Sequence, residues 1–168
     1  LLEKKVGERL QGINVKESEM KAYYSKNPEV KTSHILISVK PDASAGTMAA
    51  AKKRAGEIYS EIRSGKKPFE EYVKLYSDDI PSKANGGDIG FQSRVTLVPE
   101  YYEAALKLRK GRVSSPVQTR YGFHIIKLSD TRSYAEADKS QIRAAVLDLK
   151  RNQIFESYFK SIQKKYPV

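Results

Sequence analysis

The sequence contains neither cysteine nor tryptophan. Without cysteine there are no disulfides, thiolate metal sites or cysteine nucleophiles, and the redox compartment stays open. No apolar run approaches the roughly 20 residues of a membrane-spanning helix. The chain begins without Met on an amphipathic, charged stretch instead of a secretory signal. We therefore expect a piece of a longer protein whose targeting signal is not in this chain.

Phosphate-binding motifs are also missing. Gly86, Gly87 and Gly90 form no GxGxxG pattern and no Lys-Ser/Thr pair follows them, so they are expected to form turns. The net charge of +11 would attract polyanions, but the cations are scattered, and their longest clusters cover only 52–54 and 164–165. We expect no specific nucleic-acid partner, no cofactor and no metal.

Two segments that alternate in polarity predict β-strands, and each carries a histidine. In the first, Val30–Val39, His34 falls on the face opposite Ile35 and Ile37. In the second, residues 121–130, His124 alternates with Phe123 and Ile125 in the same way. Each histidine is therefore expected inside or beside a core.

Helical spacing of apolar residues predicts most of the remaining structure. Asn14 and Glu17 have the spacing of a capping box before a short helix that ends at Asn27. The other predicted helices cover 47–64, 69–76 and 99–108, and one long helix, or two with a break, covers 134–166. The polar, glycine-containing segment between the second and third of these predicts a loop.

Four motifs occur in an order and spacing that resemble the parvulin family of rotamases. They are SHILI at 33–37, GGDIGF at 86–91, LVPEYYEAAL at 97–106 and YGFHIIKL at 121–128. The resemblance implies an α+β fold, a four-stranded antiparallel sheet surrounded by helices, over residues 30–131. Residues 1–29 and 132–168 would form a helical module, the long C-terminal helix or helix pair packing with the N-terminal segment or with another chain.

The resemblance also implies the functional residues. It assigns three residues to the catalytic centre: His34, Asp79 and His124. It assigns four residues to substrate binding: Leu97, Tyr101, Phe123 and Phe91. Other interpretations stay open, because strand histidines are usually satisfied core residues, Asp79 fits an ordinary turn, and apolar residues at such spacing are usually core.

By this resemblance the protein is a bacterial peptidyl-prolyl cis/trans isomerase and folding chaperone, periplasmic or otherwise extracytoplasmic, that acts on unfolded secreted or outer-membrane polypeptides. Rotation about an X-Pro bond needs no nucleophile, because its barrier of roughly 18 to 20 kcal/mol comes from amide resonance. The alternative is a client-binding module of parvulin shape with weak or no catalysis. Two departures from the family favour it: Tyr101 stands where Phe is usual, and Ile80 interrupts the usual Asp-Pro-Gly-Ser turn. A homodimer through the terminal helices is a further expectation.

Overall fold

The structure, a computed structural model, describes residues 1–167. They divide into two compact units. One is the continuous stretch from Pro28 to Ser133. The other combines the chain from Leu1 to Asn27 with the chain from Tyr134 onward. Each unit has its own core, and each is described here by itself.

The unit from Pro28 to Ser133 is built on a four-stranded antiparallel sheet in the order β2-β1-β4-β3. The strands are β1 (Val30–Ser38), β2 (Asp88–Gln92), β3 (Val117–Thr119) and β4 (Gly122–Thr131). The central pair, β1 and β4, corresponds to the two predicted histidine-bearing strands. The edge strands β2 and β3 are short and were not predicted from the sequence. The α+β fold class with a four-stranded antiparallel sheet is confirmed.

Side-chain alternation gives each central strand one residue set for each side of the sheet. On one side Ile35, Ile37 and Ile125 pack against the helices α3 (Ala45–Arg63) and α4 (Phe69–Tyr76). On the other side Ile126 and Leu128 pack against α6 (Pro99–Leu106). A single turn, α5 (Ile80–Lys83), lies in the segment that was predicted to be a loop. The histidines share the α6 side of the sheet.

The helical unit consists of α1 (Leu2–Gln11), α2 (Glu17–Lys26), a 3-10 helix (Tyr134–Glu136) and α7 (Lys139–Lys165). Its buried core residues are Met20, Tyr24, Ala137, Ile142 and Val146. The predicted capping box of Asn14 and Glu17 is wrong. Instead, the backbone N–H of Lys16 donates to Glu19 Oε1 at 3.0 Å, so the helix begins one residue after Lys16.

The helix α7 carries large apolar side chains that are exposed, among them Leu149, Phe155 and Phe159. None of the helices within residues 1–167 has the length and apolar character needed to cross a membrane.

Candidate active site

The two histidines meet on the α6 side of the sheet. Leu36 of β1 is the register partner of His124 on β4, so His34 lies diagonally across from His124. Their Nδ1 atoms are 3.1 Å apart, and their rings stack with an interplanar angle of 15°. Both side chains are buried, with 6% of His34 and 4% of His124 exposed. The pair is thus held by the two central strands.

Both ends of the histidine pair continue into further hydrogen bonds. Asp79 Oδ2 lies 2.8 Å from His34 Nε2 and also accepts a hydrogen bond from Ser82. Thr119 Oγ1 lies 2.7 Å from His124 Nε2. The four side chains therefore form one continuous chain, Asp79–His34–His124–Thr119, which we call the histidine network.

One arrangement of protons satisfies every member of this network. A carboxylate only accepts, so His34 donates to Asp79 through Nε2–H and accepts at Nδ1 when its ring is neutral. His124 then donates through Nδ1–H, which leaves its Nε2 to accept from the hydroxyl of Thr119. Thr119 Oγ1 in turn accepts from the backbone N–H of Tyr121 at 3.2 Å. Each member of the network from Thr119 to His34 thus donates to the next, and Asp79 accepts the last hydrogen bond.

Electrostatics agree with this arrangement. Burial and, to a smaller extent, the neighbouring His34 lower the pKa of His124 to about 4, while Asp79 opposes the shift. Burial raises the pKa of Asp79, but hydrogen bonds from Ser82 and His34 and the electrostatic influence of the two histidines outweigh this effect. The net pKa of Asp79 lies below its ordinary value. At neutral pH the site therefore contains a neutral His124 and an ionised Asp79.

The segment before Asp79 is fastened to β1 by three hydrogen bonds. Ser77 Oγ accepts from the backbone N–H of Leu36, and the backbone N–H of Asp78 donates to the Leu36 carbonyl at 2.8 Å. Asp78 Oδ2 accepts from the backbone N–H of Ser38 at 2.8 Å. These bonds hold residues 77–79 alongside β1. Asp79 is thereby placed next to His34, although 45 residues separate the two in sequence.

Gly87 fixes His34 from the backbone side. Its carbonyl accepts from the backbone N–H of His34 at 3.0 Å, and its φ is +80°. A Cβ at this position would lie 2.4 Å from the His34 carbonyl oxygen. Only glycine permits both this conformation and this approach.

Tyr101 packs edge-on against both histidine rings, at centroid distances of 5.8 Å and 5.3 Å. Its hydroxyl shares a 2.7 Å hydrogen bond with Thr32 Oγ1, and only 2% of the residue is exposed. Burial raises the pKa of Tyr101 far above its usual range, so the hydroxyl stays protonated. The additional hydroxyl, relative to phenylalanine, is therefore satisfied inside the protein by Thr32.

Two apolar residues join Tyr101 on this side of the sheet. Leu97, which was predicted to bind substrate, and Ile89, which was not, are both partly buried against the core that contains Tyr101. Ile89 could have been found because it lies within the GGDIGF motif, between two candidate turn glycines. These three apolar residues and the histidine network lie on the same side of the sheet.

The predicted substrate contact Phe91 is placed elsewhere. β2 has an extra residue relative to β1, since Phe91 pairs with Lys31 whereas Asp88 pairs with Ser33. Gly90, with φ of +71°, lies in this β-bulge. The bulge leaves Phe91 on the side of Lys31, beneath the guanidinium of Arg132 at 4.1 Å from its ring centroid. The structure therefore does not bring Phe91 to the histidines.

Phe123 is likewise separated from the site. It precedes His124 on β4, and successive strand residues point to opposite sides of the sheet. Its side chain, 3% exposed, belongs to the core with Ile35 and Ile37. The placement of Phe123 in the substrate site is corrected: it is a core residue on the α3 side.

No group of three or more His, Cys, Asp or Glu side chains within residues 1–167 is arranged to hold a metal ion. The chemistry available to the site consists of hydrogen bonds, one carboxylate and an apolar surface.

Comparisons with known proteins agree with this geometry. The family model of the PPIC-type PPIase domain, the rotamases, matches residues 34–130. The chain belongs to this family of peptidyl-prolyl isomerases. The resemblance to parvulins noted from the sequence is thereby confirmed. The matched range contains all seven predicted site residues, from His34 to His124.

Individual relatives extend the similarity beyond the domain. The foldase protein PrsA of Caldanaerobacter subterraneus subsp. tengcongensis is 32% identical over 98% of this chain and 51% of its own length. A probable parvulin-type peptidyl-prolyl cis-trans isomerase of Bordetella pertussis is 29% identical over 95% of this chain and 60% of its own length. The crystal structure of peptidylprolyl isomerase PrsA from Bacillus cereus is 29% identical, with a TM-score of 0.65, and the match covers 99% of this chain and 58% of that one. The chain thus spans about half the length of its curated PrsA relative.

Proposed function

We propose that this protein catalyses cis/trans isomerisation of X-Pro bonds in unfolded polypeptides and assists their folding. The observation that carries the proposal is the histidine network beside the apolar side chains of Ile89, Leu97 and Tyr101. Such a surface suits a reaction in which nothing is covalently attacked and only the amide geometry changes. Uncatalysed, this isomerisation takes tens to hundreds of seconds, slow enough to limit folding.

The proposed mechanism is differential binding of the twisted amide. Leu97, Ile89 and the ring of Tyr101 receive the pyrrolidine ring of proline, while Asp79 and the histidines provide the polar surroundings of the rotating bond. In the twisted state the amide loses resonance and its nitrogen gains lone-pair character. A fixed polar environment beside an apolar site favours that state over the planar isomers.

The histidines act in this proposal as the rigid base of the site. Their second nitrogens are already occupied by Asp79 and Thr119, so neither ring has a free nitrogen to attack a substrate. Asp79 is the most accessible ionised member, because about a quarter of its side chain is exposed. It is the residue best placed to interact with the client amide.

The two departures that favoured a catalytically weak module, Tyr101 and Ile80, do not disturb the site in the structure. The hydroxyl of Tyr101 is bonded to Thr32 and adds no unsatisfied polar group to the proline site. Ile80 is 72% exposed, and Asp79 keeps its contact with His34 despite this substitution. An active isomerase is therefore the better proposal.

We further propose an extracytoplasmic, periplasmic location and a client-binding role for the helical unit. The proposal is supported by the PrsA foldases among the relatives and by the exposed apolar side chains of α7. Secreted or outer-membrane polypeptides with exposed aromatic segments are the proposed clients. Homodimerisation through the terminal helices would use the same α7 surface, and sedimentation velocity over a wide concentration range distinguishes it from client binding.

The deciding experiment is an isomerisation assay on short X-Pro peptides. We expect the parent to accelerate exchange and the Asp79→Ala and Leu97→Ala variants to lose most of that acceleration while remaining folded by circular dichroism. Asp42→Ala and Leu75→Ala are matched controls, because both residues are exposed and neither lies in the histidine network. No acceleration by the folded parent with any peptide would leave only the client-binding role.

A further inference from the structure

A pocket opens beside the Thr119 end of the histidine network. Its apolar wall consists of Val39 and Pro41, which follow β1, and Met48 of α3. Thr119 also lines it, and the hydroxyl of the same Thr119 contacts His124. The pocket therefore shares one residue with the histidine network and offers apolar surface to a side chain that enters it.

Three polar residues complete the lining: Glu100, Gln118 and Arg120. Glu100 is exposed on the first turn of α6, directly before Tyr101, whose ring contacts both histidines. Among residues 1–167 no cation lies within ion-pair distance of the Glu100 carboxylate. Its negative charge is thus available to a side chain in the pocket.

The other charged group of the pocket already has a partner. The guanidinium of Arg120 donates to the hydroxyl of Tyr121 at 2.9 Å and lies over the ring of Tyr121, 5.0 Å from its centroid. Gln118 directs its amide nitrogen to Met48 Sδ at 3.6 Å. Of the three polar groups at the pocket, the Glu100 carboxylate is therefore the one that a ligand meets without displacing an internal contact.

We propose that this pocket binds the client side chain next to the isomerised proline, and that Glu100 makes it favour lysine and arginine. The inference rests on the proposed isomerase function and specifies its substrate class. The aliphatic stem of a lysine or arginine lies along Val39 and Met48, while the cationic head reaches the Glu100 carboxylate. Because Glu100 is exposed, solvent and salt screen the attraction, and the positive charge of Arg120 in the same pocket opposes it, so the preference is modest.

The experiment compares short peptides that differ in one residue next to proline. One set varies the residue before proline and a second set varies the residue after it, each with Lys, Leu or Glu. Exchange spectroscopy by NMR measures the catalysed rates without a coupled protease. We expect the parent to favour Lys over Glu by about two- to five-fold in one of the two sets at low salt, and we expect high salt to reduce the ratio.

Glu100→Gln is expected to bring the ratio of Lys to Glu close to one. Glu57→Gln is the matched control, since it removes the same charge from an exposed position on α3 that does not line the pocket, and it should leave the ratio unchanged. Equal rates for Lys and Glu peptides with an active parent would overturn the subsite and leave the proposed isomerase intact. A preference for Glu that Arg120→Gln abolishes would also overturn it, and the absence of any catalysis would remove the proposed function itself.

Discussion

At the residue scale, the site depends on buried polar groups that satisfy one another. Thr32 is fully buried and shares a hydrogen bond with Tyr101, and His124 is placed between His34 and Thr119. Among residues 1–167, no buried side-chain nitrogen or oxygen lacks a hydrogen-bond partner. Removing one partner therefore leaves the other unsatisfied, which typically costs about 1 to 3 kcal/mol.

The Tyr101–Thr32 pair gives a direct test of this dependence. Tyr101→Phe and Thr32→Val should each lower the free energy of unfolding by about 1 to 2 kcal/mol, because each leaves the buried hydroxyl of the other residue without its hydrogen-bond partner. The double variant should lose less than the sum, since both polar groups are then gone. Urea denaturation of the four proteins measures the coupling, and strict additivity would contradict it.

The same pair separates stability from catalysis. Because the hydroxyl of Tyr101 is bonded to Thr32 and only 2% of the residue is exposed, Tyr101→Phe keeps the ring that we propose receives proline. Its isomerase rate per folded molecule should therefore remain near that of the parent.

Acid should destabilise the protein through His124. Burial is the main reason that its folded pKa is lowered to about 4 from an ordinary value of 6.5. Between these two pH values the ring is protonated in the unfolded chain but stays neutral in the folded chain. Stability contributed by the neutral ring is complete above pH 6.5 and is lost progressively as the pH falls to about 4. The loss is about 3 kcal/mol, at roughly 1.4 kcal/mol for each pKa unit.

Urea denaturation at several pH values between neutral and acid measures this loss. His124→Gln should be less stable at neutral pH but should lose much less stability on acidification. An equal pH dependence in the parent and the variant would show that other groups cause the effect. Asp79, whose pKa is also lowered, contributes only further into acid.

At the element scale, the loops decide where the functional side chains lie. The strands β1 and β4 supply the histidines, but the hydrogen bonds of residues 77–79 to β1 place Asp79, and the close approach of Gly87 places His34. The β-bulge at Gly90 keeps Ile89 with the site and turns Phe91 away. The site is thus assembled where irregular segments meet a regular sheet.

Gly87→Ala tests the role of that close approach. With φ of +80° and a clash at 2.4 Å, the substitution should lower the free energy of unfolding by about 2 kcal/mol or more and displace His34. Gly56→Ala is the control, because Gly56 lies inside α3 and a Cβ there meets nothing within 4 Å. That substitution should stabilise the protein by about 0.5 to 1 kcal/mol. Calorimetry or urea denaturation of both variants makes the comparison.

At the scale of the whole molecule, the chain contains two units whose core residues do not overlap. The helical unit relies on Met20, Ile142 and Val146, and the sheet unit on residues between Val30 and Leu128. Asp138 caps α7 by accepting from the backbone N–H groups of Ser140 and Gln141. The stability of each unit should therefore respond to changes in its own elements.

Asp138→Ala should lower the protection of amides in α7 by about 0.5 to 2 kcal/mol, the usual effect of losing an N-cap. Amides of Ile35 and Ile125 should keep their protection, because they belong to the other core. Native-state hydrogen exchange followed by NMR reads both sets in one sample. An equal loss in the two units would show that they unfold as one.

Much of the fold could be predicted from the local pattern of apolar and polar residues. Alternation located β1 and β4, and helical spacing located α3 and α4, because these elements each bury one face against a core. The edge strands β2 and β3 were missed because they are short, five and three residues, and carry little pattern of their own. Their pairing with β1 and β4 comes from contacts that are distant in sequence.

The candidate site was predictable where the motif itself supplies the residue. His34, His124, Asp79, Leu97 and Tyr101 come from the four motifs and the loop between them, and the structure brings them to one side of the sheet. Thr119, Ser82 and Ile89 were missed as site residues because hydroxyl and aliphatic side chains are common and acquire a role only through their neighbours.

The sequence by itself determined the alternating strands and the helical stripes, because these depend on residues close together in the chain, and it determined the family through the order and spacing of four motifs. Only the tertiary structure decided which of those residues meet. Strand register brought His34 to His124 at 3.1 Å, and the bulge at Gly90 and the alternation along β4 sent Phe91 and Phe123 to the opposite side. Register and bulges depend on pairing between distant segments. A shift of one residue in the register of a strand moves each of its side chains to the other face of the sheet.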